Sequence, residues 1–391
     1  MNEAFDIVSC DDNQLSKRKL LHLVEHGNGV LFIGSGISRR LNYPSWEGVI
    51  ESLANRIPEE ETKELVRRKL NNSELLLAAE IVKNKLPFDQ YCLAFEEHFC
   101  PKNPAHDDFH RMLVSLKFKG FVTTNYDPII ESALKSIQIS SRDYGITISH
   151  EQRSHVHGFL SALSHSINYT ERYQLFLHGK YNLHESTILS YGDYVQKYDG
   201  RNIKEQSELY EQLISGNISI EDFEQKSNLK DSAFRTIHYK AIYLLFATQR
   251  LVFAGFGLRD EYLNKIINDV QLDFNPFQPN HFALFSKNGT ESWNEFDYLQ
   301  KKREWNAKGV ELVFYDDNET YGGIEEFVSN FPSDCFYQPN ASPASIHQIP
   351  KNPTTTTESQ SEQNHTVVVD NDINTKLINM AKKVADDLKN K

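Results

Sequence analysis

The chain has 391 residues, of which 39% are hydrophobic and 12% aromatic, enough for one large α/β domain with appendages or for two domains. Lys and Arg number 42 against 54 Asp and Glu, a formal charge of −12. That balance argues against a broad nucleic-acid-binding face.

The four cysteines, Cys10, Cys92, Cys100 and Cys335, form no C-x-x-C pair of the kind that holds structural zinc. Reduced thiols and a cytoplasmic location are therefore expected. The beginning of the sequence lacks a basic stretch followed by an apolar one, so no signal peptide is expected. No apolar run approaches the ~18 residues of a membrane span.

In chain order, residues 15–28 predict a short amphipathic helix carrying Leu20, Leu21, Leu23 and Val24. The run Gly29-Val30-Leu31-Phe32-Ile33 predicts a buried strand, closed by Gly34-Ser35-Gly36-Ile37-Ser38. Helical spacing resumes over 46–57 and continues from Glu60 to Lys119, which suggests a helical layer or insertion. A second strand is expected at Gly120–Thr124, followed by Asn125-Tyr126-Asp127-Pro128, where Asp127 can cap and Pro128 can open the next helix. Residues 140–170 are expected to be irregular. The run Gln174–Leu177 predicts a third strand that delivers His178-Gly179.

Residues 198–233 are polar and predict a second helical excursion. An apolar helix over 236–249 leads into the strand Arg250–Ala254 and a second glycine loop, Gly255-Phe256-Gly257-Leu258-Arg259-Asp260. Strands near His281–Phe285 and Val310–Tyr315 flank a helix over Trp293–Trp305. This alternation predicts an α/β fold, a Rossmann-like, doubly wound parallel sheet over residues 1–338 with helical insertions at about 60–119 and 198–233. Composition predicts a flexible linker over 339–366 and an amphipathic tail helix over 367–391, suited to packing on its own domain or to docking on a partner.

Four segments carry the candidate chemistry, each at the end of an apolar run where ligands of open α/β sheets bind. The backbone N–H groups of Gly36, Ile37 and Ser38, with the Ser35 and Ser38 hydroxyls, suit a pyrophosphate or a plain tight turn. Asn125 offers a donor and an acceptor to ribose hydroxyls and water, whereas Asp127 suits either an amide ligand or a helix cap. His178 is a candidate base, with a satisfied structural histidine as the alternative. His106 and His110 share i,i+4 spacing without the glutamate of a H-E-x-x-H site. The cluster His150, His155, His157 and His165 is expected to line a surface or a site rather than bind metal.

Taken together, Gly34-Ser35-Gly36-Ile37-Ser38, Thr123-Thr124-Asn125-Tyr126-Asp127, Leu177-His178-Gly179 and Gly255-Phe256-Gly257 with Asp260 resemble the sirtuin-like domains of bacterial antiphage defence proteins. Tyr43-Pro44-Ser45-Trp46 and Leu189-Ser190-Tyr191-Gly192-Asp193-Tyr194 are similar to that branch too. Protein-deacetylating sirtuins carry Gln before the motif Asn, where this chain has Thr124, and four zinc cysteines, which this chain does not match.

The resemblance implies NAD as substrate, cleaved to nicotinamide and ADP-ribose, with no metal. It implies phosphate contacts from Gly34, Ser35, Gly36 and Ser38, and ribose and water positioned by Asn125. Asp127 would bind the carboxamide, and His178 would be the base. Gly255, Phe256 and Gly257 would border the adenosine, with Ser190 and Tyr194 on the pocket wall. It further implies gating by a partner or by assembly, a homo-oligomer, and, by elimination among defence architectures, a HerA-type helicase/ATPase partner. The alternatives are an NAD-dependent protein deacylase and a non-catalytic dinucleotide- or ADP-ribose-binding subunit.

Overall fold

The computed structural model describes residues 2–137, 145–148, 153–164, 172–227, 236–257, 260–274, 281–286, 295–316 and 322–337. The proposed linker and tail helix lie outside these residues, as do His150 and His165. Within them, seven strands form one sheet: β1 (Gly29–Ile33), β2 (Phe118–Thr123), β3 (Gly145–Thr147), β4 (Gln174–Phe176), β5 (Arg250–Ala254), β6 (His281–Ser286) and β7 (Val310–Tyr315). Their spatial order is β3-β4-β2-β1-β5-β6-β7, and every pairing is parallel. This is the doubly wound, Rossmann-like sheet that the alternation of strands and helices predicts. From β1 the chain passes through β2 to the edge strand β3, returns to β4 between those two, and then crosses to the other side through β5, β6 and β7. The reversal falls between β1 and β5, the place where such sheets open a crevice.

Parallel strands covered on both faces must be apolar on both faces. β1 is buried along its whole length, as is all of β5 except Arg250. One face packs Phe32, Phe253 and Leu177 under the helices Ile237–Thr248 and Glu261–Phe274. The other packs Leu31, Ile33 and Phe121 under the helices Asn2–Glu25 and Asp108–Ser115. A separate core belongs to the helical layer, in which Leu77, Ile81 and Phe95 meet Leu213 and Phe223 from the second excursion. The two insertions therefore form one layer, bound to the sheet through Tyr126, Ile129 and Leu189.

The structure differs from the sequence reading at several edges. The first helix runs from Asn2 to Glu25, well beyond the apolar stretch that signals it. β2 begins at Phe118, because the half-buried Lys119 reaches Leu163 O with its ammonium and does not interrupt the strand. The region expected to be irregular contains β3 and the helix Arg153–Ala162. Among the described residues β3 pairs only with β4, and it is three residues long, too short for a periodicity to register.

Candidate functional site

The four signature segments follow β1, β2, β4 and β5, which lie side by side in the order β4-β2-β1-β5. They therefore line one edge of the sheet.

At the β1/β5 junction the glycines are required by backbone contact. Gly34 N donates to Ala254 O, and Gly36 N donates to Gly255 O. A Cβ on Gly34 would fall 2.4 Å from the Gly255 oxygen, and one on Gly255 would fall 2.6 Å from Ile37 N. Gly255 also sits at φ +61°, where a side chain adds strain. The two glycine loops thus interlock. One consequence corrects the sequence reading. The Gly36 and Ile37 N–H groups, expected to face a pyrophosphate, donate to Gly255 O and Gly34 O. Ser35, exposed, keeps its side chain toward solvent, and Gly257 is exposed as well. Phe256 turns toward the sheet, its ring 4.9 Å from that of Phe32.

His110 supports this loop from below. It is fully buried; its Nδ1 lies 2.6 Å from Asp107 and its Nε2 lies 3.2 Å from Ile37 O. The His106/His110 pair is therefore not a shared helix face, because the helix starts at Asp108 and His106 turns to Ser132. Among the described residues, no group of three His, Cys, Asp or Glu side chains has the arrangement of a metal site. Cys92, Cys100 and Cys335 carry free thiols. His155 and His157 lie on the helix Arg153–Ala162.

Across β1 and β2 runs a side-chain chain. Asn125 Nδ2 donates to Ser38 Oγ at 2.9 Å, and Ser38 Oγ donates to Asp127 Oδ2 at 2.8 Å. The other Asp127 oxygen accepts from Ile129 N at 3.2 Å, the cap expected ahead of Pro128. Thr123 fixes the turn, donating to Ile33 O and accepting from Asn125 N. Burial pushes the Asp127 carboxyl above the ordinary carboxylate range, and the Ser38 hydrogen bond opposes that push.

His178 lies on the neighbouring strand end. β2 and β4 pair Thr123 with Phe176, so Asn125 and His178 each follow that pair by two residues on adjacent strands. His178 is 4% exposed. Its Nε2 lies 3.2 Å from Tyr198 Oη and 3.5 Å from Asp260 Oδ2. Asp260 Oδ2 also accepts from Tyr194 Oη at 2.8 Å, and Tyr194 stands edge-on to the imidazole. Burial lowers the His178 pKa below the usual imidazole value, and the Asp260 charge works in the opposite direction. Sequence reasoning quoted Asp260 as part of a motif and gave it no role. Its signal was the fixed offset from the glycine loop.

Tyr194 and Asp260 also face outward. They line a cleft of about 720 Å³ with Trp46, Tyr191, Arg201 and Tyr262, between the helical layer and the sheet. Ser190, expected on the pocket wall beside Tyr194, is not part of that lining. It is 1% exposed, and its hydroxyl caps the turn Tyr191–Tyr194 through reciprocal bonds with Asp193.

Residues 119–313, which contain β2 through most of β7 and three of the four segments, match the family described as the SIR2-like domain. Over those residues the chain is similar to SIR2-like domains. Its relatives include an NAD(+) hydrolase ThsA from Enterococcus faecium, 22% identical over 77% of this chain and 53% of that protein. Defense-associated sirtuin 2 from Bacillus subtilis is 22% identical over 71% of this chain and 25% of that protein. A ThsA from Cytobacillus dafuensis is 21% identical over 44% of this chain and 34% of that protein. The chain thus spans about half the length of the first relative and about a quarter of the second.

Proposed function

We propose that this SIR2-like domain is an NAD glycohydrolase that releases nicotinamide and ADP-ribose and acts in antiphage defence by depleting NAD. The observation that carries the reading is the matched placement of Asn125 and His178 on the ends of β2 and β4, beside the interlocked glycine loops. The names of the relatives, two NAD(+) hydrolases and a defence-associated sirtuin, support the same reaction.

Nicotinamide leaves NAD from a positively charged ring nitrogen, so the bonding pair neutralises the leaving group and no acid is required. The sugar develops oxocarbenium character, as in glycoside cleavage generally. Asn125 holds the ribose and the incoming water through its amide; His178 takes the proton that water loses on attacking the sugar carbon. Ser38 keeps Asn125 in register, and Asp127 takes the carboxamide. Ser35 and the short helix Ser35–Ser38 approach the phosphates, and Phe256 and Gly257 flank the adenosine side.

His178 is almost wholly buried, which suits an enzyme whose activity is gated by assembly or by a partner. A homo-oligomer and a HerA-type ATPase are the candidates for that gate. NAD incubated with the full chain, alone and with such an ATPase, followed by mass spectrometry of the products, tests the reading. Nicotinamide and ADP-ribose are expected, and they should be lost with Asn125→Ala. Acyl-ADP-ribose formed from acyl-lysine peptides as the main product would establish a deacylase instead. NAD bound but intact under both conditions would establish a binding subunit.

A further inference from the structure

We propose that Asp260, delivered by the β5 loop, is a positioning residue for His178: it fixes the proton on Nε2 and leaves Nδ1 as the nitrogen that accepts a proton in the reaction. The role in turnover rests on the glycohydrolase reading; the geometry stands apart from it.

Nε2 faces Tyr198 Oη at 3.2 Å and Asp260 Oδ2 at 3.5 Å. An ionised carboxylate only accepts, whereas a tyrosine hydroxyl donates or accepts. A ring nitrogen between them is therefore best occupied by N–H, and the partner of one nitrogen sets the tautomer of the whole ring. Nδ1 makes no hydrogen bond among the described residues, yet it is not among the buried polar atoms sealed from solvent. The residual 5% exposure of this side chain thus leaves its second nitrogen approachable.

Asp260 is itself held on three sides. Oδ2 accepts from Tyr194 Oη at 2.8 Å, Oδ1 accepts from Leu263 N at 2.9 Å, and the helix Glu261–Phe274 begins directly after it. Behind the ring, Tyr194, Tyr198 and Tyr262 pack with centroids 4.7 to 5.5 Å apart, so the imidazole cannot swing toward the cleft without displacing them. The other titratable neighbour is His238, buried, with neither ring nitrogen hydrogen-bonded, 4.9 Å from the Tyr198 ring. Its charge and that of His178 disfavour each other, and Lys197 adds to the repulsion on His238. Asp260 is the anion that opposes these effects at His178.

The test is a two-bond ¹H–¹⁵N spectrum of the full chain with ¹⁵N-histidine, His178 being assigned by its loss in H178Q. The wild type is expected to show the Nε2–H tautomer. Asp260→Asn keeps the helix cap, since Asn caps as well as Asp. It removes the charge that raises the His178 pKa, so that pKa should fall further and the tautomer preference should weaken. Tyr194→Phe releases the carboxylate from its second donor, and the pKa should move up. In turnover, D260N should lower kcat roughly 10- to 100-fold with KM within about twofold, and should move the acid limb to lower pH. A wild-type Nδ1–H tautomer, or a His178 titration unmoved in D260N, overturns the proposal. If the spectra behave as expected while no condition yields NAD cleavage, the positioning stands and the glycohydrolase reading falls.

Discussion

The two halves of the strand-end crevice are built from different materials. The β1/β5 half is backbone against backbone, with Gly34, Gly36 and Gly255 in contact where no Cβ fits. The β2/β4 half is side chain against side chain, with Asn125, Ser38 and Asp127 in one chain and His178, Tyr194, Tyr198 and Asp260 in another. The backbone contacts of the first half shape the crevice, while the loops after β1 and β5 send Ser38 and Asp260 across to the second. The second holds the titratable groups Asp127 and His178, whose pKa values burial shifts in opposite directions. Shape rests on backbone contacts and reactivity on side chains, so the two can be perturbed separately.

The largest effect should come from placing a side chain in the backbone half. Gly255→Val forces a β-branched residue into φ +61° and against Ile37 N. A loss of at least about 3 kcal/mol is expected, read as a collapsed urea midpoint or as insoluble protein. Normal stability would show that the interlock is dispensable.

Next, Asn125→Ala and His178→Ala should each reduce NAD turnover roughly 100-fold or more. For Asn125→Ala the unfolding free energy should stay within about 1 kcal/mol, since one half-buried hydrogen bond is lost. If both variants kept full activity, the chemistry would belong elsewhere in the fold.

Acid probes the buried histidines of both the crevice and the core. Buried His178, His238 and His281 all have lowered pKa values, His281 to about 4, chiefly through burial. The unfolded chain binds protons on these residues near pH 6.5, and the folded chain does so only at lower pH. Stability should therefore be full above about pH 6.5 and should fall as the pH drops from there toward 4, a trend that melting temperatures across that range will follow or refute. Turnover should persist below the ordinary imidazole pKa, because the base stays neutral there.

The smallest effect is expected from Ser190→Ala. Loss of the cap should cost about 1 kcal/mol in thermal unfolding and leave KM for NAD within about twofold. A large KM change would put the hydroxyl back on the substrate.

Much of this arrangement was legible in the sequence because buried parallel strands are apolar throughout and end abruptly. Val30–Ile33, Phe121–Thr123 and Leu251–Ala254 could be followed to their closing glycine or asparagine. β3 escaped because Gly145-Ile146-Thr147 is short and sits at the sheet edge among polar residues. At the site, residue types at strand ends pointed to Asn125 and His178. They could not show that the loop after β5 reaches past β1 and β2 to touch the imidazole, a contact that only the folded sheet makes. Nor could they show that Gly36 and Ile37 give their N–H groups to the protein, or that Ser190 turns toward Asp193. Those outcomes depend on which neighbour the folded sheet brings within hydrogen-bond reach.

The glycine interlock also has a bearing on biosynthesis. Its two sides come from opposite halves of the polypeptide, so the crevice cannot close while the ribosome is still making the central segments. A nascent or truncated chain that stops before Gly255 would lack both the floor of the crevice and the carboxylate at 260. On the proposed reading, such an unfinished chain would spare NAD until its later portion has emerged and docked.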